Sequence, residues 1–202
     1  VKINTCSEIV WINDKYHFHH MSEIDFDENY WIPTSIFPYS LPEKMVGKNY
    51  GDFLDDAITK ISKDGEILFQ KSVIEMLIEN DLKSLFFSNQ VFDGDPIHLN
   101  DIQQADFDSN YWRKGDLFLS LRSKNMIVQY RPDSNKVINI ISGPFVNQHD
   151  VDIISNEEIS IFNNNVHFYK GSRIDGGNLH FNTVPQIGLV EILIYNFRTK
   201  SF

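Results

Sequence analysis

The chain has 202 residues, 42% hydrophobic and 23% charged, an ordinary composition for a folded domain with room for one sizeable core or two small ones. Its formal net charge of −10, with no Lys/Arg-rich run, excludes a protein that wraps nucleic-acid backbone, although a few cations lining a channel can still attract an anion. The single cysteine, Cys6, permits neither an internal disulfide nor a cysteine metal site, and no stretch reads as a transmembrane span or a signal peptide.

Aromatic residues make up 13% of the chain, sixteen of them Phe, which favours packed β-structure. The chain opens on Val1-Lys2-Ile3 without a Met, so its natural start is expected to lie further upstream. Ser7 to Trp11 is short and apolar and reads as a strand with no partner before it. Tyr16 to His20 is followed by Ile24-Asp25-Phe26 and, after Asp27-Glu28-Asn29, by Tyr30-Trp31-Ile32, which read as two strands about a tight turn. Ile36 to Asn49, with Pro38, Pro42 and Gly47, reads as a loop. Alternating strands on either side of Ser62-Lys63-Asp64-Gly65 are the clearest hairpin signal. Ser72 then serves as an N-cap for one short helix ending near Leu85, a packing element inserted between strands.

From Ile97 four strands follow in about forty-five residues, the size of one propeller blade. They are His98–Phe107, Asp116–Arg122, Met126–Tyr130 and Lys136–Ile140. A further set begins at Gln148 and continues through Glu158–Phe162, a Gly-rich excursion (Gly171 to Gly188) and a third strand, Leu189–Tyr195. The predicted fold is all-β: blades of four antiparallel strands from a β-propeller, plus one short inserted helix. The reading is one incomplete propeller domain over 1–202. Blade parts occupy 1–72, a helical insertion 72–90, a blade 95–142 and a partial blade 147–202. Propellers need at least four blades to close. Either this is part of a longer chain, the preferred reading, or copies assemble as a homo-oligomer.

Three histidines share one local frame: His20-Met21-Ser22-Glu23-Ile24, His98-Leu99-Asn100-Asp101-Ile102 and His149-Asp150-Val151-Asp152-Ile153. Unequal spacing makes this a repeat with insertions. If each histidine opens the innermost strand of a blade, His20, His98 and His149 converge on one channel. Arg122, ending the second strand of the His98 blade, stands at the mouth of the same funnel, and its planar fork suits the oxygens of sulfate, phosphate or carboxylate. Neutral imidazole is a nucleophile or base near neutral pH, and imidazolium can protonate a leaving oxygen. The acids at Glu23, Asp101 and Asp152 read as blade-to-blade hydrogen-bonding groups. His17, His167 and His180 read as surface or loop residues, as does His19 unless a one-residue bulge exchanges it with His20.

Several of these runs, in order, resemble the arylsulfotransferase (aryl-sulfate sulfotransferase) family. They are Ile97–Asp101, Gly115–Arg122, Gly143-Pro144-Phe145 with Gln148-His149-Asp150, and Ile161–Asn164; His19-His20 resembles the family's upstream His-His element. The resemblance covers residues 95–165 well. It implies a six-bladed propeller, periplasmic or secreted, that moves a sulfuryl group from an aryl sulfate to a phenol through a sulfated histidine. No nucleotide sulfate donor and no other cofactor is implied. By position, His149 is the implied nucleophile, and His98 and Arg122 hold the sulfuryl oxygens, with His19 and His20 completing the funnel. Two readings stand beside it: a non-catalytic propeller for binding or assembly, and a three-histidine metal centre, against which Arg122 argues.

Overall fold

The computed structural model describes residues 1–41, 45, 53–86, 94–175 and 178–202, apart from the side chains of 167–187. Strands β1 (Lys2–Ile3) and β2 (Ile9–Trp11) form a two-stranded ribbon. In the first sheet, β3 (His17–Phe18) and β4 (Glu23–Ile24) both pair with β5 (Tyr30–Ser35), followed outward by β6 (Asp56–Ile61) and β7 (Ile67–Ser72). Two short helices follow, α1 (Val73–Glu79) and α2 (Lys83–Phe86). The second sheet is four consecutive antiparallel strands: β8 (Leu99–Gln104), β9 (Leu117–Leu121), β10 (Met126–Arg131) and β11 (Lys136–Ile141). The third joins β12 (His149–Ile153), β13 (Glu158–Asn163) and β16 (Glu191–Asn196), with a separate hairpin of β14 (Val166–Asp175) and β15 (Asn178–Ile187) inserted between β13 and β16.

The all-β class and the blade-like antiparallel sheets are as the sequence predicts. Three details differ. The strand at Ile9–Trp11 does have an upstream partner, Lys2–Ile3. The single expected helix is two, because Asp81 adopts φ 61° and interrupts it. The Gly-rich excursion is a long, regular hairpin in full ten-residue register. Of the expected loop over 36–49, residues 42–44 and 46–49 lie outside the described residues, as do 87–90 of the helical insertion.

Period-two alternation explains the packing. Along β9, Leu117, Leu119 and Leu121 face one core while Phe118 faces the other; along β10, Val128 and Tyr130 oppose Ile127 in the same way. Every residue of β9 is therefore buried, which is why this run is apolar except for Ser120, whose hydroxyl accepts from Gln148 Nε2 at 3.3 Å. The first core lies between the first two sheets, sealed by Val73, Ile74, Met76 and Leu77 of α1. The second lies between the second and third sheets around Trp112, Phe145, Val151 and Phe197. The Ser72 hydroxyl caps α1 by accepting the Glu75 N–H at 3.2 Å. Gly65 permits its turn (φ 92°) and the close approach of Trp11, whose ring a Cβ would meet at 2.9 Å. Phe162, Ile192 and Ile194 on the third sheet are exposed. Among the described residues no helix is long and apolar enough to cross a membrane.

Across the second sheet, Asp116 is buried and accepts from Arg131 Nε at 2.7 Å and Nη2 at 2.8 Å, from Gln129 Nε2 at 3.0 Å and from the Arg113 N–H at 3.0 Å. Burial works against the charged form, but the Arg131 hydrogen bond and the other donors hold the carboxyl below the usual carboxylate range. A depressed acid contributes stability above its unfolded value, and that stability is lost as pH falls through the folded value. Asp116→Ala should cost about 3 kcal/mol at pH 7 in urea unfolding, because it leaves Arg131 facing an empty buried site. The deficit should shrink as the wild type is acidified below about pH 4.

Candidate functional site

The three sheets lie side by side, with β8 packed against β5 on one side and β12 on the other. Each junction is closed by a carboxylate. Asp56 Oδ2 of the first sheet accepts the Leu99 N–H of the second at 2.7 Å, and Asp101 Oδ2 of the second accepts the Val151 N–H of the third at 2.8 Å. Asn100 Nδ2 adds a bond to the Gln148 carbonyl at 2.8 Å. Register shifts make Asn100 and Asp150 the extra residues opposite β9 and β13, and such bulges re-aim neighbouring side chains. His20, His98 and Asp150 have φ of 58°, 52° and 51°, a left-handed conformation worth about 1–3 kcal/mol of strain per residue. The pinned neighbours hold them there: Leu99 by Asp56, and the His98 carbonyl by the Arg122 N–H at 3.1 Å.

These constraints bring the predicted histidines together. The His20 ring centroid lies 4.9 Å from that of His98 and 5.6 Å from that of His149. Arg122 opens a 3-10 turn immediately after β9 and places Nη1 3.3 Å from His98 Nε2. A guanidinium only donates, so His98 Nε2 accepts and its Nδ1 proton points at Asp95 Oδ2, with which it makes a short contact. Arg122 Nε is buried with no hydrogen-bond partner among the described residues, a donor available to an anion. His19 joins the cluster through Nδ1, 2.7 Å from His20 Nδ1, and its Nε2 lies 3.3 Å from Asp56 Oδ1, within ion-pair distance though off the hydrogen-bond line. A pocket of about 150 Å³ opens on this side, lined by His19, His20, His98, Asp56 and Asp95.

The electrostatics favour neutral imidazoles. Burial first, then the charges of Arg122 and His98, push the His149 pKa below the ordinary histidine value. For His20, loss of water and then the charges of His19, His98 and His149 lower it to about 4, while Asp56 pulls the other way. Since His20 is solvent-exposed, its three like-charged neighbours are the firmer cause. Beneath the histidines sits an acidic layer. Burial, then Asp150 and Glu23, raise Asp101 to about 8, so its contact with Val151 at neutral pH is made by a neutral carboxyl. A neutral imidazole beside a fixed guanidinium can bind an anion and attack it.

All five predicted site residues, His19, His20, His98, Arg122 and His149, therefore lie in one cluster. Both His19 and His20 belong to it, so no bulge is needed to choose between them. His17, expected on the surface, is exposed but lines the same pocket, 5.9 Å from the His19 ring. The side chains of His167 and His180 lie outside the described residues. Of the three acids expected to bridge blades, Asp101 does so; neither Glu23 nor Asp152 makes such a bond among the described residues. Asp56 and Asp95 were not predicted. Asp95 stands three residues before His98, a spacing that carries no signal in an irregular segment, and Asp56 reaches the site only through the packing of β6 on β8. Among the described residues, no group of three or more His, Cys, Asp or Glu has metal-ligating geometry.

An NMR titration of the imidazole carbons should place His20 near pH 4 and His149 below the ordinary histidine midpoint. Arg122→Gln should move the His149 midpoint upward, because a positive neighbour is removed while the burial remains. An unmoved midpoint would mean that Arg122 exerts no field on His149.

Comparison with known proteins bears on the same residues. The family model described as Arylsulfotransferase (ASST) matches residues 2–194, well beyond the 95–165 stretch that carries the motifs. No curated protein matches the chain. A crystal structure of a protein of unknown function from Bacteroides caccae superposes with a TM-score of 0.48 at 10% identity, covering 90% of this chain and 52% of that one. The chain thus spans about half the length of that structure. With a family match running through the first sheet, the second and most of the third, the chain belongs to the arylsulfotransferase family.

Proposed function

We propose that the protein is a nucleotide-independent sulfotransferase that carries a sulfuryl group from an aryl sulfate to a phenol through a sulfohistidine at His149. The observation that carries this reading is the convergence of His20, His98 and His149 beside Arg122, in a chain of this family. In the donor half-reaction a ring nitrogen of His149 attacks sulfur, the S–N bond forms and the bond from sulfur to the aryl oxygen breaks, releasing the phenolate. Arg122 holds the sulfuryl oxygens as charge shifts to the leaving oxygen, and His98 adds a second donor there when its Nε2 also carries a proton. In the acceptor half-reaction a phenol oxygen attacks sulfur, the S–N bond breaks and His149 is regenerated. His20 and His19 complete the funnel on the side of the pocket. A non-catalytic propeller would need no such convergence, and the guanidinium beside His98 opposes a bound cation.

The three sheets are, on the same reading, successive blades of one propeller domain over 1–202, within the six-bladed ring of the family. The exposed apolar face of Phe162, Ile192 and Ile194 would meet a further blade, from the rest of a longer chain or from a second copy.

The test is incubation of the protein with a chromogenic aryl sulfate and a phenol acceptor. Phenol release, sulfated acceptor and one sulfuryl group on the peptide containing His149 are expected. His149→Asn should abolish turnover and leave aryl-sulfate binding largely intact. No phenol release from the intact protein would overturn the assignment.

A further inference from the structure

Behind His20, away from His98 and His149, stand two residues that the sulfuryl transfer above leaves without a proton-handling role. His19 Nδ1 lies 2.7 Å from His20 Nδ1, so one of the two rings must donate and the other accept. His19 Nε2 lies 3.3 Å from Asp56 Oδ1. A carboxylate only accepts, so Asp56 favours the proton on His19 Nε2, although the pair is not aligned as a hydrogen bond; such contacts commonly tighten when a substrate binds. Neutral His19 then offers a lone pair at Nδ1, which makes His20 Nδ1 the donor and leaves His20 Nε2 as the base. Asp56 is 2% exposed, and its second oxygen is tied to the Leu99 N–H, so the carboxylate cannot turn away.

We propose that Asp56 and His19 form a relay behind His20: they hold His20 in the tautomer with a free Nε2 and receive the proton that this nitrogen takes from the phenolic acceptor. The inference rests on the sulfotransferase reading. In the acceptor half-reaction the phenol O–H bond breaks, its oxygen forms the new bond to sulfur, and the S–N bond to His149 breaks with its electron pair returning to the ring. The phenol proton arrives at His20 Nε2; the Nδ1 proton moves to His19 Nδ1, and the imidazolium formed there faces Asp56. Among the described residues, His19, His98, His149 and Asp56 are the titratable groups acting on His20, and of these Asp56 alone stabilises positive charge on it. A proton left on His20 would be held poorly, and passing it to His19 moves it next to the carboxylate and to the adjoining pocket. Asp56 and His19 are thus positioning residues for His20.

The experiment separates the half-reactions on the full chain. Nitrophenyl sulfate serves as donor, because its leaving group departs as a stable anion and needs no proton. The nitrophenolate burst and the sulfuryl mass on the His149 peptide report the first step. Asp56→Asn keeps an acceptor for Leu99 but can place an amide donor at His19 Nε2, reversing both tautomers; Asp56→Ala removes the carboxylate outright. Each should keep the burst and lose about a hundredfold in turnover with a weakly acidic phenol. Each should lose little with a strongly acidic phenol already ionised at the assay pH, and Asp56→Glu should recover part of the loss. Equal losses with both phenols, or a lost burst in a folded variant, would overturn the relay and leave the sulfotransferase reading standing. A wild-type protein without sulfuryl on His149 would overturn both. Nitrogen-15 shifts of His20 in the unmodified protein give a readout independent of activity: a protonated Nδ1 and a bare Nε2 are expected, and the opposite tautomer would sink the proposal.

Discussion

Two hydrogen bonds, from the Leu99 N–H of β8 to Asp56 of β6 and from the Val151 N–H of β12 to Asp101 of β8, hold adjacent sheets in one relative register. The apolar cores between the sheets supply most of the driving force for their association, but area burial is non-directional and would tolerate a slide along the strands. A buried amide that accepts only one partner does not tolerate it, because a shifted strand would leave both the N–H and the carboxyl unsatisfied. That directional requirement carries through to the site. His98 directly precedes Leu99 and Asp150 directly precedes Val151, and both adopt left-handed backbones that an unpinned strand would relax.

The same carboxylates do different electrical work. Asp101, buried under an acidic layer, is neutral at pH 7 and serves as a hydrogen-bonding spacer. Asp56 and Asp95 flank the histidines from the pocket side, and Asp95 is held in its charged form because its bond to His98, with Arg122 nearby, outweighs the cost of burial. An acidic protein thereby presents one guanidinium at a single point beside His20 and His149, whose imidazoles are pushed toward the neutral form. Net charge says nothing about such a site; the local field is set by which groups lie within a few ångströms and how much water remains between them.

Most strands were legible because they satisfy a local rule: period-two alternation between turns such as those at Gly65, Asn125 and Asn135, all at positive φ. The largely apolar run Leu117–Leu121 was readable as a strand; that both its faces are buried was decided by the sheets on either side. Where the reading missed, the deciding contact was elsewhere in the chain. The ribbon of Lys2–Ile3 with Ile9–Trp11 is too short to signal itself and is supported by Trp11 donating to the Lys63 carbonyl at 2.8 Å. The helix break at Asp81 accompanies Asn80, which reaches across to Asn135 and Val137 of the second sheet.

The sequence by itself determined the strand content, the repeat that sets His20, His98 and His149 in one frame, and the motifs that carry the family. These are properties of residue type and short spacing, which local backbone preference and side-chain alternation read out directly. Only the tertiary structure decided that His19 and His20 both enter the cluster, that Asp56 and Asp95 stand behind the imidazoles, and which ring nitrogens are free. Those facts depend on groups as far apart in the chain as His20 and His149 meeting where the sheets join, and on the burial that shifts their protonation. No spacing in one dimension records either.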